Sequence, residues 1–134
     1  MKIVTTGNLY KIFKENDEDT IIRMRNLRTL VSNNNFNYHK VGENYLIDYD
    51  DFMKKINPKN LEHRYNIPKL RSIKSATREY NKTHKNQISY HLVERCIATG
   101  NVSYVKTIRL YLINYEELER EIENQIFRKR VTDL

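Results

Sequence analysis

The sequence predicts an α+β, mainly helical fold made of two small units in tandem, and three observations carry that prediction. Residues 22–56 align without a gap on residues 88–122 at an offset of 66, with nine identities in 35 pairs. Within each copy the apolar spacing runs from helical to alternating and back to helical. The chain has 134 residues, 39% hydrophobic and 31% charged, which is room for one ordinary domain or two small ones with modest cores and is too apolar for a disordered chain.

The identical pairs are Ile22/Ile88, Asn35/Asn101, Tyr38/Tyr104, Lys40/Lys106, Tyr45/Tyr111, Leu46/Leu112, Ile47/Ile113, Tyr49/Tyr115 and Ile56/Ile122. Others keep their character: Leu27 faces Val93, Leu30 faces Cys96, Val31 faces Ile97, Phe36 faces Val102 and Phe52 faces Leu118. The period is too long for a solenoid, so it reads as two small domains.

In the first copy Leu9, Ile12 and Phe13 keep helical spacing before the polar break Asn16-Asp17-Glu18-Asp19. A second helix is expected over residues 23–33, with Met24, Leu27, Leu30 and Val31 on its inner face. Asn33-Asn34-Asn35 ends it, because asparagine accepts the left-handed conformation; in the second copy Gly100, better suited still, stands opposite Asn34. Two short strands follow, 36–41 with 45–48 and 102–106 with 110–113, turning at Gly42-Glu43-Asn44 in one copy and at Ile108-Arg109 in the other. A closing helix is expected over 49–56 and 115–125, with Asp50, Asp51, Glu116 and Glu117 in its first turn, where the helix dipole favours them. Pro58 and its flanking asparagines mark a seam, giving a first unit at 1–57, a linker at 58–66 and a second unit at 67–134 with a basic tail, Arg128-Lys129-Arg130. Helix, turn, helix, hairpin, helix is the order of a small winged helix, so the fold class is two tandem winged-helix domains, each a helix-turn-helix plus a β-hairpin wing.

Composition narrows the function. Twenty-four Lys and Arg against 17 Asp and Glu leave a net charge of +7, which suits a polyanionic partner, nucleic acid before an anionic membrane surface. Three glycines exclude a Gly-rich phosphate loop or a dinucleotide fingerprint. The single cysteine points to a reducing compartment, and with no signal peptide or membrane-length apolar run a cytoplasmic protein is expected.

Residues 88–118, ISYHLVERCIATGNVSYVKTIRLYLINYEEL, resemble the excisionase-type branch of the MerR-like winged-helix family, which runs a Ser-capped helix, a small or Gly stop, an apolar residue, a "YVK" strand, a wing and a "YLIN" strand into a last helix. FNYHKVGENYLIDYDDF in the first copy is similar in its second half, with Gly42 in the wing, and departs at the stop, where Asn34 replaces glycine. The resemblance implies a DNA-binding role on a mobile element, as excisionase-like architectural factor or transcriptional regulator.

In a helix-turn-helix the second helix enters the major groove, and its outward residues meet base edges and phosphates. At 100° per residue Arg25, Thr29 and Ser32 point outward in the first copy, flanked by Arg23, Asn26 and Arg28; the second copy offers His91, Arg95 and Ala98, a poorer set. Base readout is therefore assigned to Arg23, Arg25, Asn26, Arg28 and Thr29, with His91 and Arg95 in support. The excess charge lies elsewhere: residues 1–57 carry +1, residues 58–124 carry +4, and residues 59–90 hold eight basic groups against two acidic ones. Lys69, Arg71, Lys74 and Arg78 are thus candidate phosphate contacts, and the wings add Lys40, Asn44, Lys106 and Arg109.

The remaining reactive side chains have plainer readings. Tyr38, Tyr45, Tyr104 and Tyr111 recur at matched strand positions, as packing residues do, and Cys96 takes the inward slot of Leu30. His39, His63, His84 and His91 have no metal-ligand spacing in sequence, and no nucleophile, base and orienting group can be assembled. The expectation is a non-enzymatic protein without metal or cofactor that binds double-stranded DNA as a monomeric pseudo-dimer or a homodimer. The rival expectation is a winged-helix module that binds a protein, a recombinase or a host nucleic-acid enzyme that it inhibits.

Overall fold

A computed structural model describes residues 2–33, 36–59 and 67–132. The first half orders β1 (Ile3–Thr5), α1 (Thr6–Asn16), α2 (Met24–Asn33), β2 (Tyr38–Val41), β3 (Asn44–Asp48) and α3 (Tyr49–Ile56). The second half repeats the order as β4 (Leu70–Arg71), α4 (Ile73–Thr83), α5 (Tyr90–Ala98), β5 (Tyr104–Lys106), β6 (Tyr111–Asn114) and α6 (Tyr115–Thr132). The chain is α+β and mainly helical, with one antiparallel three-stranded sheet per unit, ordered β1-β3-β2 and β4-β6-β5.

The opening strands β1 and β4 were not legible in the sequence, since two or three residues are too few for an alternating pattern. Each is set by backbone pairing: Tyr49 N–H donates to the Lys2 carbonyl and Tyr115 N–H to the Lys69 carbonyl, at 2.9 and 2.8 Å. The first helices match at an offset one residue larger than the rest, because the connection 17–23 is one residue longer than 84–89. That insertion is why the gapless alignment stops at Ile22. Thr5 and Ser72 cap α1 and α4, and Ser72 with Ser75 completes a capping box.

Both hairpins begin two residues later than expected. Asn37 N–H donates to the Asp51 carboxylate and Ser103 N–H to Glu117, both at 2.8 Å, so the first-turn acids of α3 and α6 divert these N–H groups from the ladder, while the two carbonyls still accept from Asp48 and Asn114 N–H at 3.0 and 2.9 Å. Acid pairs expected only to favour the helix dipole therefore also tie each closing helix to its hairpin. Gly42 sits in the first turn with φ 61°. The glycine-free second turn closes instead through Thr107, whose N–H donates to the Leu110 carbonyl at 2.8 Å and whose hydroxyl accepts from Leu110 N–H at 3.0 Å. Gly100 ends α5 with φ 78°, the left-handed conformation expected there. Asn34, Asn35 and most of the expected linker, 60–66, lie outside the described residues.

Two further expectations need correction. Met24, expected inward, is 38% exposed at the first position of α2, before the helix turns onto the core. Arg128, Lys129 and Arg130, expected as a loose tail, belong to α6, which runs to Thr132.

The units are packed against each other. The first core cluster, around Leu9, Phe13, Leu27, Leu30, Phe52 and Met53, also takes in Leu70 and Leu112 from the second sheet, with Ile67 and Val105 at its edge. Leu112 and Ile113 point to opposite faces of β6: Ile113 packs into the second unit's own core and Leu112 into the first unit's. Polar contacts complete the junction: Arg71 grips Asp17 through both guanidinium NH2 groups, Asn114 Nδ2 donates to Asn57 Oδ1 at 3.3 Å, and Lys59 Nζ donates to the Gly100 carbonyl at 2.6 Å. In the first sheet the matching face, with Ile3, His39 and Leu46, is open.

Candidate nucleic-acid interface

Helix α2 buries Leu27, Leu30 and Val31 and turns Arg23, Arg25, Arg28 and Ser32 to solvent, with Asn26 and Thr29 half-buried. Local hydrogen bonds sort this set. The Asn26 side chain accepts from Arg23 N–H at 3.0 Å, so it caps the helix start, and the Arg23 guanidinium donates back to the Thr20 and Ile22 carbonyls at 3.1 Å. Thr29 and Ser32 hydroxyls donate to the carbonyls of Arg25 and Arg28 one turn back. Among the described residues no hydrogen bond or ion pair holds the guanidinium groups of Arg25 and Arg28. They are the two arginines of this face whose guanidinium groups no described residue engages.

On α5 the exposed residues are Tyr90, His91, Glu94, Arg95 and Ala98, while Val93 and Cys96 are buried. His91 and Arg95 are therefore placed as expected, on a face that is poorer in donors and carries Glu94. Burial first, and the nearby Glu121 second, push the Cys96 thiol up; Gln125 Nε2 donates to its sulfur at 3.8 Å. The residue is a core group and not a nucleophile.

The basic segment divides. Lys69, Lys74 and Arg78 are exposed, and Lys74, Arg78 and Lys82 recur at i, i+4 and i+8 as a stripe along α4. Arg71 is not part of it. It is 3% exposed, bonded to Asp17 in the other unit and to Glu79 at 3.2 Å, and cannot reach a phosphate. Burial alone would lower its pKa, but the two carboxylates outweigh this and the net direction is upward. The phosphate assignment of Arg71 is thus overturned by a partner that no local pattern reveals.

The two hairpins are alike in construction. Tyr38 stacks on Tyr45 at 5.3 Å between centroids, and Tyr104 meets Tyr111 edge to face at 5.4 Å. Lys40 lies over the Tyr45 ring and Lys106 over Tyr111, at 5.9 and 5.4 Å, so three of the identical pairs form one cation–aromatic platform per hairpin. Asn44 and Arg109 are exposed at the turns. The second hairpin also exposes Tyr104 at 46% and Ile108 at 73%.

Sequence reasoning missed one cluster. His84, at the end of α4, lies 3.3 Å from Glu119 and 3.6 Å from Glu123 on α6, at the rim of an inter-unit cleft of about 920 Å³ lined also by Asp17, Arg78, Glu79 and Tyr115. The Glu-x-x-x-Glu spacing was visible, but the histidine is 35 residues upstream of Glu119 and only the fold joins them. Among the described residues no helix is long and apolar enough to cross a membrane. Comparison of the chain with protein families, curated proteins and solved structures finds no match.

Proposed function

We propose that the chain is a non-enzymatic, double-stranded DNA-binding protein in which both units are winged helices, acting as an excisionase-like architectural factor or small regulator of a mobile element. The observation that carries this reading is the pairing of two unengaged arginines, Arg25 and Arg28, on the outward face of the second helix with a separate stripe of cations, Lys74, Arg78 and Lys82, on the first helix of the other unit. In a helix-turn-helix these are the positions that meet base edges and backbone phosphates. The +7 charge and the lysine-over-tyrosine platforms of both wings support the same reading. Titration of a labelled duplex by fluorescence anisotropy at rising salt tests it. The affinity falls linearly in log–log coordinates, with a slope set by the number of phosphates neutralised; a chain that fails to bind duplex at low salt refutes the proposal.

A second reading has one observation in its favour. The second unit offers Tyr90, Tyr104 and Ile108 where the first offers Met24, Tyr38 and Gly42, and all three are at least 43% exposed. An apolar face of this kind suits a protein partner, such as a recombinase or a host nucleic-acid enzyme, docked on that unit while the first holds DNA. A stoichiometric partner retained from host lysate after nuclease treatment, and lost with Ile108→Asp, supports it; a partner released by the nuclease does not.

A further inference from the structure

We propose that His84, Glu119 and Glu123 form a binding site for a divalent transition-metal ion such as Zn2+, which would tie the end of α4 to α6. The site is distinct from the DNA-reading residues and does not depend on that reading. Its three donor atoms all lie within 4.8 Å of one another. The histidine is already oriented: its ring lies flat on Tyr80, 3.8 Å between centroids and 2° from parallel. Its Nδ1 is 3.2 Å from the Tyr80 carbonyl, which can only accept, and 2.8 Å from Thr83 Oγ1, a hydroxyl that also lies 3.0 Å from the Glu79 carbonyl. The Tyr80 carbonyl favours the tautomer with the ring proton on Nδ1. The Nε2 lone pair is then aimed at two carboxylates, an arrangement that calls for a cation between them. Fixing the outer ring nitrogen on a backbone carbonyl is how metal-ligating histidines are commonly held.

The spacing favours a metal ion over a proton. Ligand bonds of about 2.0–2.2 Å at tetrahedral angles place donor atoms roughly 3.3–3.6 Å apart. The two histidine-to-carboxylate separations are 3.3 and 3.6 Å. A proton on Nε2 satisfies one carboxylate and leaves the other beside it as a like charge, whereas a metal ion accepts all three donors. A second, independent feature points to a ligand in this cleft. The Tyr115 hydroxyl, on a residue 4% exposed, is buried with no well-formed hydrogen bond among the described residues, the Thr83 hydroxyl being only a weak partner, and the residue lines the cleft with Thr83, His84 and Glu119. Tyr115, Glu119 and Glu123 follow one another at i, i+4 and i+8 along α6, so this residue belongs to the same helix stripe as the two carboxylates, and a rotated Glu119 carboxylate could engage its hydroxyl.

Calorimetric titration of the untagged full chain with Zn2+, and the visible spectrum with Co2+, test the assignment. We expect one ion per chain, d–d bands of a four-coordinate site and no thiolate charge-transfer band. Glu119→Gln, Glu123→Gln and His84→Gln should each weaken binding about tenfold or more. Glu94→Gln, on an exposed helix face away from the cluster, should leave it unchanged. The ligand variants alter half-buried or exposed side chains, and circular dichroism confirms that they fold. No binding up to millimolar metal, equal affinity in all variants, or a thiolate band reporting Cys96 overturns the proposal.

Discussion

Arg71 occupies the position that Val4 fills in the first unit, and this exchange of an apolar residue for a cation joins the two halves of the chain. Its partner Asp17 is 54 residues away, and both are nearly inaccessible to water. Removing one member of such a buried pair strands the other charge, so Arg71→Ala or Asp17→Ala should each cost about 3–5 kcal/mol in urea unfolding, while replacing both by apolar residues, Asp17→Leu with Arg71→Met, should restore most of the loss. Additive losses in the double variant would show that the pair is not coupled. Tyr115 makes a second residue-scale prediction. Burial chiefly, opposed by the Thr83 hydroxyl and helped by Glu79 and Glu119, holds its hydroxyl up at about 12. The unfolded tyrosine ionises near pH 10. Between roughly pH 10 and 12 the unfolded state therefore binds fewer protons than the folded state, and stability falls as pH rises; below that window the group adds no slope. Tyr115→Phe should flatten the alkaline decline of the unfolding midpoint, and an unchanged decline would remove Tyr115 as its source. In sequence Arg71 looked like its basic neighbours and Tyr115 like any repeated tyrosine, because charge and repetition are local properties and burial is not.

The helices were the most legible elements. The inward faces of α2 and α5 follow from 3.6-residue spacing, and α3 matches its expected span. Strand limits were less legible, since the side chains of Asp51 and Glu117 take backbone N–H groups that the ladder would otherwise use. The readout set was partly legible. Helical geometry placed Arg25 outward and Arg28 on its flank, but it could not show that Asn26 and Arg23, the other flanking residues, are occupied in capping the same helix. If α2 reads bases and α4 grips phosphates, Arg25→Ala with Arg28→Ala should weaken binding to a preferred duplex by about 1–3 kcal/mol per lost base contact and leave random duplex little changed. Lys74→Ala with Arg78→Ala should weaken binding to both and lower the salt slope by about two. Equal losses on both duplexes from both pairs would refute this division between the helices.

At the scale of the molecule, the repeat explains why identical residues have different duties. Leu46 and Leu112 are one of the identical pairs, yet Leu46 lies half-buried on an open sheet face and Leu112, 1% exposed, is sealed in the core of the other unit. Leu112→Ala should cost about 2–5 kcal/mol, and Leu46→Ala about 1 kcal/mol or less, in chemical unfolding. Comparable losses would mean that the junction between the units does not form. The junction is also not one that a second chain can simply extend. At the far end of the molecule Asp17 is replaced by His84 and Asn57 by Glu123, while the first sheet has Val4 and Asp48 at the positions of Arg71 and Asn114 in the second. The internal ion pair would be lost and a carboxylate would meet a carboxylate. Two units were legible from the period and the seam, but their shared core was not, since the sequence suggested a linker and gave no sign that Leu70 and Leu112 face outward from their own unit.

Units that share a core cannot slide relative to each other, so two recognition helices on such a chain would read half-sites at one spacing. Selection of bound sequences from a random duplex library by the full chain tests this most directly. The account predicts an enriched motif in two parts at a single fixed separation, with the stronger part lost in the Arg25→Ala, Arg28→Ala variant. Recovery of no enriched sequence, or of half-sites at many separations, would contradict it.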